Sequence, residues 1–240
     1  MKSRMPSRWR KTFRAWSKRD EYKKNLREAK RSLRKVLDTH NCIVLYSGGK
    51  DSLVVLHLTL QYDPNIPVYH YSAGYDYEVM QMKEPKAVRD EIIGIAYKVG
   101  VKPGRLHIAG GDGPSHRKFF GQLRRVMDEE SCDVELIGIR AGESITRRER
   151  VKDAPLVKRE GSRLVCFPIK SWSWMDVWAY IVSNDLPYLS LYDEYARVYG
   201  YDRARWSMLF SGFTLDKGGG YYFDGIFHPE MRNETPEDSR

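Results

Sequence analysis

The chain has 240 residues, 41% of them hydrophobic, with six Trp and 16 Tyr, enough for one sizeable core with appendages. No run approaches the ~20 apolar residues of a membrane span, and the basic N-terminus lacks the apolar stretch of a secretory signal. The three cysteines, Cys42, Cys132 and Cys166, form no Cys-x-x-Cys pair, which predicts a reducing, cytoplasmic setting and argues against a zinc or iron–sulfur centre built by this chain alone.

The net charge of +9 is uneven. Residues 1–36 hold 15 Lys/Arg and three Asp/Glu, a net of +12, so the remainder carries −3. Residues 1–14 mix Arg, Lys, Ser and aromatics without a clear period, which predicts a flexible arm. From about Trp16 the pattern is helical. Tyr22, Leu26, Ala29, Leu33 and Val36 or Leu37 recur at steps of three and four, and Lys23, Lys24, Arg27, Lys30, Arg31, Arg34 and Lys35 fill most other faces. Asp38–Asn41 breaks this helix.

An α/β alternation follows. A strand over 42–46 leads to a helix over 51–62, a strand over 68–72 and a long helix over about 78–99. A third strand over 105–109 precedes a loop at 110–114, a helix over 115–130 and a fourth strand over 134–139. Such alternation predicts a mostly parallel twisted sheet with helices on both faces, ligands binding beyond the carboxyl ends of the strands. Residues 156–159 and 164–167, around Glu160-Gly161-Ser162, read as a hairpin. Ser173 caps a helix to about Val182, with Asp176 in its first turn. The expected organisation is a basic arm and helix (1–40), a nucleotide-binding α/β domain (41–170) and a small α-rich extension (171–240) that completes the substrate site.

Between the first strand and its helix lies Ser47-Gly48-Gly49-Lys50-Asp51-Ser52. A strand, a tight glycine loop and a helix bring backbone N–H groups around a phosphate. Gly48 and Gly49 permit close approach, Ser47 and Ser52 offer hydroxyls, Lys50 a point charge, and Asp51 a cap or a Mg²⁺-facing carboxylate. The spacing is neither Walker A nor the dinucleotide fingerprint. At the end of the fourth strand lie Gly138, Arg140, Glu143, Ser144 and Arg147, and the arginines bring cations to the same edge of the sheet, suited to an anionic substrate or a leaving pyrophosphate. Glu143 is placed to hold Arg140.

The hexapeptide resembles the PP-loop of the ATP pyrophosphatase superfamily. Gly138-Ile139-Arg140-x-x-Glu143-Ser144, Tyr71-Ser72-Ala73-Gly74-Tyr75, and the run through Pro168, Trp172, Asp176-Val177-Trp178, Leu186-Pro187-Tyr188 and Leu191-Tyr192-Asp193 are similar to motifs of the phosphoadenylylsulfate (PAPS) reductase family. That family includes the reductases, the small subunit of sulfate adenylyltransferase, FAD synthetase and DNA phosphorothioation enzymes. The resemblance covers about residues 44–193. It implies an adenine nucleotide α-hydrolase-like fold, phosphates on Ser47–Ser52, adenosine near Gly74 and Tyr75, and Arg140 near the nucleotide. Lys50, Asp51 and Arg140 would be catalytic, Glu143, Ser144 and Arg147 would bind substrate, and ATP and Mg²⁺ are the expected cofactors. The activity implied is α–β cleavage of ATP with transfer of AMP, in sulfur metabolism or nucleic-acid sulfur modification. The reductases' C-terminal Glu-Cys-Gly has no counterpart after Cys166. The alternatives are a reductase using a thiol from a sulfur-donor partner and a non-catalytic nucleotide- or nucleic-acid-binding subunit. The basic segment 1–36, with Trp9, Phe13 and Trp16 as stacking groups, is the expected nucleic-acid contact.

Overall fold

The computed structural model describes residues 5–74, 86–112, 116–202 and 204, and short strands at 214–215, 221–223 and 226–228. The chain opens with two helices, α1 (Ser7–Trp16) and α2 (Asp20–Leu37). Then come β1 (Cys42–Leu45), α3 (Lys50–Leu60), β2 (Val68–Gly74), α4 (Lys86–Lys98), β3 (Leu106–Asp112), α5 (His116–Glu129) and β4 (Val134–Ile137). The short helix α6 (Ile145–Val151) precedes the hairpin of β5 (Lys158–Glu160) and β6 (Arg163–Cys166), which turns through Gly161 at φ 63°. Helices α7 (Trp174–Ser183) and α8 (Leu191–Tyr199) follow, then the antiparallel β7 (Thr214–Leu215), β8 (Tyr221–Phe223) and β9 (Ile226–His228).

The main sheet has the order β3-β2-β1-β4-β6-β5, parallel throughout except for the edge hairpin partner β5. This is the expected α/β fold. Successive strands run outward from β1 to β2 and β3, then reverse direction to β4, so the switch point lies between β1 and β4. Alternation along β1 splits its side chains between two layers. Val44 and Tyr46 join Val68 and the apolar sides of α3 and α4, whereas Ile43 and Leu45 meet Phe119, Phe120 and Leu123 of α5.

Several boundaries differ from the sequence expectation. The third strand continues through Gly110 to Asp112 instead of looping, because Gly110 pairs with Ser72 and a Cβ there would lie 2.5 Å from the Ser72 carbonyl oxygen. The fourth strand stops at Ile137. Of the long helix expected over 78–99, α4 begins after Pro85, and positions 78–85 lie outside the described residues, as does most of the sequence after 204.

The flexible arm is overturned. Residues 7–16 form a helix whose Phe13 is fully buried, stacked on Trp178 and edge-on to Trp174 and Tyr201, with Trp9 beside it. Trp9 and Phe13 are four apart and so share a helix face, which docks on α7. The aromatics expected to stack on bases are spent on the core. The stripe of α2 behaves as expected: Tyr22, Ala29, Leu33 and Val36 are buried. One apolar core runs from Phe13 and Leu33 through Val54 to Trp178.

Candidate functional site

Ser47 to Ser52 form a closed loop at the switch point. Gly48 has φ 80°, and a Cβ there would meet Ile92 of α4 at 2.5 Å, so both backbone conformation and space require glycine. Gly49, by contrast, is extended (φ −73°, ψ 157°) and is the N-cap residue of α3. The two serines cross-brace the turn. Ser47 N–H donates to Ser52 Oγ (3.2 Å), the two hydroxyl oxygens lie 3.0 Å apart, and Ser52 Oγ donates to Gly49 O.

The first four amides of a helix have no intrahelical acceptor. Here the Lys50 amide donates to the Tyr192 hydroxyl of α8 at 2.9 Å. The amides of Asp51 and Ser52 lie at the positive end of the α3 dipole, beside Gly138, the residue that follows β4. A Cβ on Gly138 would lie 2.6 Å from Ser52 N and 2.7 Å from Asp51 C, so this glycine lets β4 and the start of α3 touch backbone to backbone.

Charges alternate outward from the loop. The Lys50 ammonium is buried, 3.1 Å from Asp51 Oδ2 and above the Tyr192 ring. Arg140, also buried, donates from Nε to Asp51 Oδ1, and its Nη1 reaches Trp172 O at 3.5 Å. Glu143 accepts from the Arg140 amide at 3.0 Å and pairs with Arg147 at 2.6 Å. Burial alone would raise the Asp51 carboxyl, but Arg140 and Lys50 outweigh it and hold the group well below the carboxylate range. Burial also works against charge on Arg140, and Asp51 and Glu143 overcome it, so its pKa rises. Burial lowers Lys50, with Asp51 opposing. Lys50, Arg140 and Arg147 thus alternate with Asp51 and Glu143 from the buried loop outward.

A cavity of about 240 Å³ opens here, lined by Ser47, Gly49, Asp51, Ser52 and Gly138 on the loop side and by Tyr69, Phe119 and Phe120 opposite. Arg147, Arg150 and Arg163 line it too, the last two paired with Glu160 and Glu135. A larger cleft of about 860 Å³ lies between α4 and the segment from Ile181 to Asp193, but no part of the loop lines it. The chemistry converges on the smaller one.

The structure thus gathers Ser47, Gly48, Gly49, Lys50, Asp51, Ser52, Gly138, Arg140, Glu143 and Arg147. Lys50 and Arg140 differ from expectation in direction: the Lys50 ammonium lies against Asp51 and Tyr192, the Arg140 guanidinium against Asp51 and Trp172 O, and neither lines the cavity, which they border through Asp51. Ser144 is exposed and its hydroxyl caps α6 by accepting from the Arg147 amide. Gly74 ends the neighbouring strand β2 and pairs with Asp112, whereas Tyr75 lies outside the described residues. Tyr192 and Arg163 had no assigned role in the sequence. Tyr192 lies 142 positions from the amide it caps, a separation that no local pattern reveals. Each oxygen of Asp51 already accepts from a cation, and among the described residues no cluster of three or more His, Cys, Asp or Glu converges. The donor set does not fit a Mg²⁺ ion seated on Asp51.

A doubly wound sheet with a glycine–serine loop at its switch point places the chain among the open α/β folds. The sequence profile of the phosphoadenosine phosphosulfate reductase domain matches residues 41–204, and the chain belongs to that family. Among curated proteins it is 29% identical to the phosphoadenosine 5'-phosphosulfate reductase of Xanthomonas euvesicatoria, over 64% of this chain and 67% of that one. It is 30% identical to sulfate adenylyltransferase subunit 2 of Methylobacterium sp., over 65% of this chain. The match spans only 60% of that subunit's length. In fold it is similar to Candida glabrata FMN adenylyltransferase in complex with ATP, with a TM-score of 0.54 and 14% identity over 77% of this chain and 65% of that one. Among the described residues no helix is long and apolar enough to cross a membrane.

Proposed function

We propose that the chain binds ATP with its phosphates over the N-terminus of α3 and transfers AMP to an acceptor oxygen, releasing pyrophosphate. The observation that carries this is the glycine–serine loop that sets the first amides of α3 at the switch point, with the buried Arg140 held against Asp51. The Asp51 and Ser52 amides would bind phosphate oxygens, and Arg140, held in orientation by Asp51 and Glu143, would stabilise charge developing on the leaving pyrophosphate. Lys50 would act through Asp51, keeping the carboxylate fixed. Membership of a family whose relatives are named for adenosine phosphosulfate and for adenylyl transfer supports an adenosine phosphate as ligand. Sulfate, a small molecule and a nucleic acid are the candidate acceptors.

The cysteines favour this reading over a self-sufficient reductase. Cys42 and Cys166 are buried and their thiols are pushed up to about 12 by burial, Cys132 to about 11, and none lines the cavity. A reductase would need a thiol from a partner.

The test is pyrophosphate release from ATP with sulfate, FMN or duplex DNA supplied in turn. We expect pyrophosphate, not orthophosphate, with one of these acceptors. Lys50→Ala and Asp51→Asn should each lower turnover by about 10²–10³, with the fold retained by circular dichroism. Undiminished turnover in both variants, or orthophosphate as sole product, would remove the site from the reaction.

A further inference from the structure

We propose that the outward face of α2 binds the phosphate backbone of double-stranded nucleic acid. The surface deepens the proposed function by naming a partner, but it is testable without the reaction. Lys23, Lys24, Arg27, Arg31, Arg34 and Lys35 are exposed, and Lys30 lies half-buried at their margin. At 100° per residue these seven positions fall within an arc of about 140°. The opposite side holds the buried Tyr22, Ala29, Leu33 and Val36. From residue 23 to 35 the arc runs about 18 Å along the axis, the rise of about five base pairs. Lys23 pairs with Asp20 at 3.4 Å. Among the described residues the other six form no ion pair with a carboxylate.

Three other uses of the charge fit less well. An acidic protein partner would need apolar or aromatic anchors at the centre of the patch, and this face consists of Lys and Arg. A single strand would need aromatic stacking platforms. Trp9 and Phe13 pack against Trp174 and Tyr201, while Trp16 donates its indole N–H to Asp176 at 2.8 Å and lies under the Arg19 guanidinium. Solubility alone does not call for like charges gathered on one face while the chain after residue 36 carries −3. A rigid row of cations without stacking groups suits a duplex, read through its phosphates and not its bases.

The experiment uses the full chain, because removing residues 1–40 would strip Phe13, Tyr22, Leu33 and Val36 from the core. Binding is measured without ATP, by anisotropy, to labelled 24-base-pair DNA and RNA duplexes of random sequence. A single strand of the same sequence and polyglutamate are the comparison arms, from 50 to 300 mM salt. We expect duplex binding whose log–log salt slope is about −4, at about 0.9 per phosphate contacted. The variant Arg27→Glu/Arg31→Glu/Arg34→Glu should bind at least tenfold more weakly at 50 mM salt, and Arg27→Gln/Arg31→Gln/Arg34→Gln should show a flatter slope with an unchanged denaturation midpoint. No duplex binding at 50 mM salt, binding by both variants equal to that of the unchanged protein, or tighter binding of the single strand or of polyglutamate would overturn the proposal. Failure here leaves pyrophosphate release untouched, and failure of pyrophosphate release leaves this surface standing.

Discussion

His70 lies wholly buried in β2, with Nδ1 2.9 Å from the Tyr46 carbonyl oxygen. A carbonyl only accepts, so Nδ1 carries the hydrogen, and Nε2 has no partner in the interior. Burial pulls its pKa from 6.5 to about 4, the Tyr46 hydrogen bond opposing. Between these values the unfolded chain takes up a proton that the folded chain refuses. Stability therefore falls as pH falls from 6.5 to about 4, by roughly 3 kcal/mol in all. His57, lowered by burial and then by Lys30, adds in the same direction. Asp51 acts in a lower window, its contribution being lost only as pH falls below the ordinary carboxylate range. Urea unfolding at pH 7.5, 6 and 5 should show the decline, and His70→Asn should flatten it. An equal decline in the variant would place the effect elsewhere. The loop and Arg140 were legible in the sequence because their residue types and spacing carry the chemistry locally. The Lys50–Asp51 pairing and the Tyr192 cap were not, since both depend on which groups the tertiary fold leaves beside them.

Asp176 shows how much one helix terminus can hold. It closes a capping box with Ser173, whose amide and hydroxyl donate to Oδ2 at 2.8 and 2.9 Å. Asn25 of α2 donates to the same oxygen and Trp16 of α1 to the other. Trp172, just before the cap, links these helices to the site: its indole N–H donates to Asn25 O, and its carbonyl accepts from Arg140. Asp176→Ala leaves the Ser173 amide, Asn25 and Trp16 without their acceptor, at a cost of about 2–4 kcal/mol. Denaturant midpoints measure it, and a loss under 1 kcal/mol would mean the head is anchored by apolar contact alone. The Ser173 cap and the α2 stripe were readable from local pattern. Helix α1 was hidden because Trp9 and Phe13, correctly spaced for one face, sit among charges that blur the period. The extension of β3 was hidden because Gly-Gly reads as a turn unless the close approach of Ser72 is known.

On the scale of the molecule, the order of strands around β1 brings two distant loops to one edge, and alternation of strands and helices was enough to foresee it. The core is less local. Its head packs on α7, and the hydrogen bond from Trp16 to Asp176 spans 160 positions. Synthesis runs at roughly 5–20 residues per second, so α1 leaves the ribosome about 8–30 s before its docking surface exists. During that interval Trp9 and Phe13 have nothing to cover them. Nascent chains stalled with about 165 residues outside the exit tunnel should be cut readily at Lys11 and Arg14, and those with about 205 outside should resist. Early resistance would show that the head finds shelter before α7 is made. The dense cations of the first two helices would in that interval hold the aromatic face of a newborn chain away from other copies by repulsion until the rest arrives.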